Sequence, residues 1–292
     1  MRKAVFEWVS LILAVLVLGP LAGWLFSTLQ VADGSTQRTA LNCTSPALGI
    51  AYSLVALALA TVAGAVGSKT VGRPMGMVCA GMTLVWVACR SGTAEMIYRN
   101  SLAGTGASWR MAIEAALLAV PALCVVVLAQ RLRPMDQDDT THPLAEYRGS
   151  LRKGLTDSLF SGRAWIVIVG AAAGAVFGCW LGSISLLKGQ CVFSGVLAGI
   201  GAGCAGGLLM AGTEPRPALA PYIGVLVVAI GAPVYAAVSY GTGITQASVT
   251  GELIPPARLI PMDWLAGMFL GVPWGLGWVA GMVKEHATAT AS

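Results

Sequence analysis

The sequence predicts an all-α polytopic membrane protein with eight transmembrane helices. Of its residues, 56% are hydrophobic and 11% are charged, whereas an average soluble domain has about 45–50% and about 25%. The apolar residues form runs long enough to cross a hydrocarbon core, which takes about 20 helical residues. No charge occurs in residues 8–32, 189–213 or 217–251, and such runs are typical of membrane spans.

The predicted spans are, in chain order, residues 5–29, 46–67, 75–97, 109–130, 164–187, 192–213, 218–240 and 264–283. Arg2 and Lys3 precede the first span, as in a secretory signal peptide. Its apolar run is longer than the usual h-region of about 7–15 residues, and no A-x-A cleavage site follows. We therefore interpret the first span as a retained helix in the lipid bilayer.

The distribution of basic residues predicts the orientation. With the N-terminal end inside, twelve of the 18 Lys and Arg residues lie in cytoplasmic segments, as the positive-inside rule requires. We expect an integral protein of the cytoplasmic membrane of a bacterium, with both ends of this chain in the cytoplasm. The basic residues occur in ones and twos and form no dense patch, so we expect no nucleic-acid partner.

A polar segment, residues 131–163, divides the chain near its middle. We interpret it as a cytoplasmic charged linker, and a docking site for a soluble partner is the alternative. It would separate a first four-helix membrane repeat, residues 1–130, from a second one, residues 164–292. Four spans per unit is an even number, so the two repeats would share one orientation, as in parallel-repeat transporters.

Several residues recur at matching places in the two halves, and they favour this internal repeat. The matching pairs are Trp8 with Trp165, Trp24 with Trp180, Cys43 with Cys191, Arg73-Pro74 with Arg216-Pro217, Trp109 with Trp264, and Pro121 with Pro273. Trp and Pro also have positional uses at interfaces and kinks in any membrane protein.

Charges inside spans are expensive, about 2.5–3.5 kcal/mol each at the helix centre, and they mark candidate sites. Arg90, Glu95, Arg110 and Glu114 are predicted to form one cluster near the external side. We expect Arg90 to approach Glu114, with Glu95 or Arg110 completing the cluster. It would be either a structural ion cluster or a solute or proton site.

The seven cysteines predict one disulfide and no metal site. Cys43 and Cys191 would both be external, in an oxidising compartment, and are candidates for a bond with each other. Cys79, Cys89, Cys124, Cys179 and Cys204 fall within apolar spans at no metal-ligand spacing. His142 and His286 lie in polar segments, so we expect neither a metal nor another cofactor.

Glycine recurs at every fourth position in the fifth and sixth spans, which predicts helix faces that other backbones can approach closely. The residues are Gly170, Gly174, Gly178 and Gly182, and Gly195, Gly199, Gly203 and Gly207. We interpret them as helix-packing positions. Partner membrane proteins on these faces, or a thin wall around a solute pathway, are the alternatives.

These patterns predict a small-solute transporter or a channel-like protein. The alternative is a non-catalytic subunit or assembly partner of a larger membrane complex, since buried polar groups are scarce in the second half. A membrane-embedded enzyme is a third hypothesis and is less favoured, because no Ser/His/Asp or Cys/His set assembles on one side of the membrane.

Overall fold

The computed structural model describes residues 2–100, 105–132, 161–183, 187–211 and 217–291. Within these ranges the chain is helical and has no strand. Eight helical stretches are long and apolar enough to cross a membrane. The predicted class, an all-α polytopic protein with eight spans, is therefore confirmed. Most of the predicted linker, together with His142 and Arg216, lies outside the described residues.

The first half contains four of these stretches. The first one is formed by α1 and α2, which are joined through a π-helical turn, Leu13–Leu18. The third is interrupted at residues 91–93, where a span was predicted to continue unbroken, and a short helix follows the break. The helices are α1 (Arg2–Ile12), α2 (Gly19–Ser27), α3 (Pro46–Thr70), α4 (Arg73–Arg90), α5 (Ala94–Asn100) and α6 (Gly106–Arg131).

The second half has the same order of long and short helices. Its third long helix is followed, through a 3-10 turn at Gly241–Gly243, by a seven-residue helix, as α4 is followed by α5 after a break. The helices are α7 (Gly162–Gly182), α8 (Lys188–Met210), α9 (Ala220–Tyr240), α10 (Ile244–Thr250) and α11 (Pro261–Ala291).

The last long helix, α11, lies at the centre of the bundle. It packs most extensively on α8 and also contacts α4, α6 and α9. Residues 261–273 are all buried. By contrast, α1, α2 and α7 expose large apolar side chains such as Trp24 and Trp180, which in a membrane protein face lipid.

The packing within each half follows the same scheme. The first long helix packs on the second and third, and the second packs on the fourth: α3 on α6, and α8 on α11. Between the halves, α4 packs on α11, α6 packs on α9, and the two short helices α5 and α10 contact each other. The third helix of either half thus meets the fourth helix of the other.

One side of the bundle, which we call the loop face, carries residues 28–45, 91–100 and 241–260. Backbone hydrogen bonds join its segments, since Gly92 N donates to Arg38 O over 2.8 Å. Thr93 N donates to the Gln37 side chain over 3.0 Å, and Thr245 Oγ1 donates to Tyr98 O over 3.2 Å. These hydrogen bonds therefore connect the loop-face segments that follow the helix ends on this side.

Candidate functional site

Glu114 is the most deeply buried charged residue of the predicted cluster. It lies on α6 and its side chain is fully buried. Its Oε2 accepts a hydrogen bond of 2.9 Å from the backbone N–H of Leu41 in the loop face. Its Oε1 has no hydrogen-bond partner among the described residues. Buried polar atoms are normally satisfied, so this carboxyl group is a candidate functional feature.

The predicted pairing of Arg90 with Glu114 is wrong. Arg90 is exposed at the end of α4, and no ion pair of the described residues includes Arg90, Arg110 or Glu114. The segment around Leu41 lies against Glu114 and provides a backbone N–H donor. Such a donor leaves no trace in the pattern of charged residues, so the sequence did not indicate it. The carboxyl group is therefore engaged by the loop and not by an arginine.

Glu95 forms its ion pair within α5, with Arg99 one turn later. Arg99 also donates to the carbonyl oxygen of Ser248 on α10 over 3.4 Å. This pair ties the two short helices, and it is separate from Glu114. Glu95 and Glu114, which the sequence predicted in one cluster, therefore have separate partners.

A buried ion pair at the start of α8 and α11 was not predicted from the sequence. Lys188 Nζ lies 2.6 Å from Asp263 Oδ1 and donates to Gly92 O over 2.9 Å. Asp263 is fully buried, and its Oδ2 accepts a hydrogen bond from Ile260 N. Both residues fell just outside the predicted spans, and neither was predicted to belong to a site. Each is an isolated charge at the end of an apolar run on the same side, a signal that could have identified the pair.

A cavity of about 420 Å³ opens on the loop face of the first half. It adjoins the segment that Glu114 holds, because Asn42 and Cys43 line its wall directly after Leu41. Its lining combines two charges, three amides and a thiol with small and medium apolar groups. The residues are Asp33, Arg110, Gln37, Asn42, Asn100, Cys43, Val31, Ala32, Ile97 and Ala107.

The wall of this cavity is built by local hydrogen bonds of the loop. Thr44 N donates to Gln30 O over 2.8 Å and closes the loop at its base. Asn42 donates from both its backbone and its side chain to Thr39 Oγ1, each over 3.2 Å. Short polar side chains often stabilise turns in this way. The wall is therefore an ordered turn.

Two titratable groups of the cavity lie outside the membrane spans. Ser35 donates its backbone N–H to Asp33 Oδ1 over 2.9 Å, and the backbone and side chain of Ser35 lower the pKa of Asp33. Burial raises the pKa of the Cys43 thiol. At neutral pH the cavity thus carries a carboxylate at Asp33 and an un-ionised thiol at Cys43.

The predicted disulfide is not formed. Cys43 and Cys191 are free thiols with different partners. Cys43 Sγ donates to Ala40 O over 3.3 Å, whereas Cys191 Sγ, at the start of α8, lies 3.9 Å from Arg258 O. The two thiols occupy comparable places in their own halves, and each is packed against its own loop segment and not against the other thiol.

The predicted glycine faces are contact surfaces within the chain. A Cβ on Gly170, Gly174, Gly178 or Gly182 would meet α8, and one on Gly195, Gly199, Gly203 or Gly207 would meet α11. At Gly174, for example, it would overlap the carbonyl oxygen of Gly201. The chain's own helices therefore pack on both faces.

Comparisons with family models, with curated proteins and with solved structures found no match to this chain. Among the described residues, no group of three or more His, Cys, Asp and Glu side chains is arranged to hold a metal ion. The candidate functional features are therefore the cavity and the carboxyl group of Glu114 behind its wall.

Proposed function

We propose that this chain is a membrane transporter or channel-like protein that takes a small polar solute into the cavity on its loop face. The observation that carries this proposal is the cavity itself. Its volume of about 420 Å³ falls within the range of small-molecule sites, roughly 300–1,000 Å³. Asp33 and Arg110 both line it, at one end of a bundle of long apolar helices.

The packing of the helices supports an internal repeat of residues 1–130 and 164–292. In such a repeat, α4 corresponds to α9, α6 to α11 and α5 to α10. A two-fold axis along the membrane normal then exchanges the α4–α11 contact with the α9–α6 contact, and it passes through the contact of α5 with α10. Parallel-repeat transporters have this arrangement and open by movement of one unit against the other.

Polar links across the two exchanged contacts also support the repeat. Ser108 and Asp263 each directly precede the Trp near the start of the fourth helix of their half. Ser108 Oγ donates to Pro233 O of the other half over 3.0 Å. Asp263 binds Lys188, which donates to Gly92 O of the other half.

We further propose that the loop face lies outside the cell and that both ends of this chain lie in the cytoplasm of a bacterium. The positive-inside rule supports this orientation, and it would open the cavity to external solutes.

Uptake of labelled solutes by purified protein in proteoliposomes tests the function. Arg110→Gln at the cavity and Lys69→Gln, an exposed residue at the opposite end of α3, remove the same charge. We expect Arg110→Gln to reduce uptake at least tenfold and Lys69→Gln to leave it unchanged. Equal uptake by both variants would contradict the proposal, as would the absence of uptake across a broad solute panel.

The subunit alternative also has an observation in its favour. Residues 261–273 of α11 are all buried, and glycine contacts close the space between α8 and α11. A solute therefore has no path between these two central helices, as expected of a non-transporting subunit. Purification in mild detergent distinguishes the two functions. A protein that travels with this chain in fixed ratio, together with a lack of uptake by the pure chain, would favour the subunit.

A further inference from the structure

We infer that the ligand of the loop-face cavity is a small zwitterion, a molecule with one amine and one carboxylate on a short aliphatic frame. The inference rests on the proposed function and specifies its substrate class. It is carried by the two opposite charges of the lining, by the size of the cavity and by the polarity of the remaining lining residues.

The two charges of the cavity are not used in ion pairs. Neither Asp33 nor Arg110 belongs to an ion pair of the described residues. Arg110 presents a guanidinium group, which is suited to carboxylates because its N–H groups match the two carboxylate oxygens. Asp33 presents a carboxylate, which attracts an ammonium group. A ligand with both groups would satisfy both charges.

The net charge of the ligand follows from the same pair. A simple cation could bind Asp33 but would leave Arg110 unpaired and repel it, and a simple anion would have the opposite problem. Both lining side chains are exposed, and each attracts an opposite charge and repels a like one. A ligand with both charges and no net charge therefore has an advantage over either singly charged one.

The rest of the lining limits the frame of the ligand. Val31, Ile97 and Ala107 offer apolar surface, which suits a few methylene or methyl groups. Two of the amides are already engaged, since Gln37 Oε1 accepts from Thr93 N and Asn42 donates to Thr39 Oγ1. The apolar part of the lining favours such a frame over that of a heavily hydroxylated solute such as a sugar.

The test is binding of four probes of similar size to the full chain in nanodiscs, measured by calorimetry and by thermal stabilisation. L-Alanine is the zwitterion, ethylammonium the cation, propionate the anion and glycerol the neutral probe. We expect L-alanine to bind at least tenfold more tightly than the other three.

Two variants and two controls connect the preference to the cavity. Asp33→Asn should move the preference toward propionate, and Arg110→Gln should move it toward ethylammonium. Glu252→Gln and Lys69→Gln, both exposed and outside the cavity lining, should leave the preference for L-alanine unchanged. Opposite shifts in the two cavity variants are a result that a general loss of folding would not produce.

The outcomes separate this inference from the proposed function. Tightest binding of ethylammonium, lost in Asp33→Asn, or of propionate or glycerol, lost in Arg110→Gln, would overturn the zwitterion and leave the cavity as a solute site. Binding of L-alanine that neither cavity variant changes would overturn the inference, since the ligand would then lie elsewhere. No binding of any probe would overturn the zwitterion, and uptake of another solute class in proteoliposomes would then still support the proposed function.

Discussion

The backbone N–H of Leu41 donates to Oε2 of Glu114 over 2.9 Å, and this bond joins the loop face to a buried side chain of α6. Leu41 directly precedes Asn42 and Cys43, which line the cavity. The carboxyl group thus holds the cavity wall in position from behind. A change at Glu114 should therefore affect both the stability of the protein and the shape of the cavity.

Glu114→Gln should be tolerated better than Glu114→Leu. Glutamine keeps a carbonyl oxygen for Leu41 N, whereas leucine leaves this buried donor without a partner, which costs about 1–3 kcal/mol. We expect a clear loss of thermal stability in detergent for Glu114→Leu and a smaller one for Glu114→Gln. Glu252→Leu, at an exposed site on the same face, is the control. Equal losses for both Glu114 variants would show that the hydrogen bond is not what matters.

The Lys188 and Asp263 pair should show strong coupling in a double-mutant cycle. Removal of one partner leaves a buried charge unpaired, at a cost of about 3–5 kcal/mol. We expect Lys188→Met and Asp263→Leu each to destabilise the protein strongly in denaturation experiments. The double variant should be more stable than the sum of the single effects predicts. Additive effects would contradict a direct interaction between the two side chains.

Gly267→Ala should destabilise the bundle, whereas Gly277→Ala on the same helix should not. A Cβ at Gly267 would overlap the backbone of Gly195, but one at Gly277 would meet no atom within 4 Å. Overpacking of this kind costs about 1–3 kcal/mol, while alanine in an open helix position is favourable by about 1 kcal/mol. Thermal unfolding of the two variants checks the difference. A Gly267→Ala protein as stable as the parent would show that α8 and α11 can separate at low cost.

Binding of an amine-containing probe should persist as the pH falls below the ordinary range for an aspartate. Hydrogen bonds from the backbone and side chain of Ser35 lower the pKa of Asp33, so its carboxylate stays ionised to a lower pH than an ordinary aspartate. Ser35→Ala removes the side-chain contribution and should move the loss of L-alanine binding to higher pH. Calorimetric titration between neutral and acidic pH gives the midpoint. If Ser35→Ala leaves this midpoint unchanged, the ionisation of Asp33 does not control the binding of L-alanine.

Cys43 should react slowly with a membrane-impermeant maleimide at neutral pH and faster as the pH rises. Burial raises the pKa of this thiol, and the thiolate is the reactive form. In a variant whose only cysteine is Cys43, intact cells should be labelled, because the loop face is proposed to lie outside. Saturating L-alanine should slow the reaction. Labelling only after the membrane is opened would reverse the proposed orientation.

The sequence by itself determined the membrane class, the number of spans and most of their bounds. These properties are local, since the length of an apolar run decides whether a helix can cross the bilayer. The glycine repeats are local in the same way, because a four-residue spacing places Gly195, Gly199 and Gly203 on one face of α8 whatever packs against it. The break at residues 91–93 was not predicted, because the residues on both sides of it are apolar enough to continue a span.

Only the tertiary structure decided which polar groups meet. Lys188 and Asp263 are 75 residues apart, and Leu41 and Glu114 are 73 residues apart. Arg90 and Glu114 carry opposite charges, yet they form no ion pair, since Arg90 is exposed at the end of α4 whereas Glu114 is buried and accepts from Leu41 N. An apolar run requires burial but specifies no partner, whereas a hydrogen bond or ion pair needs two particular helix ends at the same place. That coincidence depends on the packing of the whole bundle around α11.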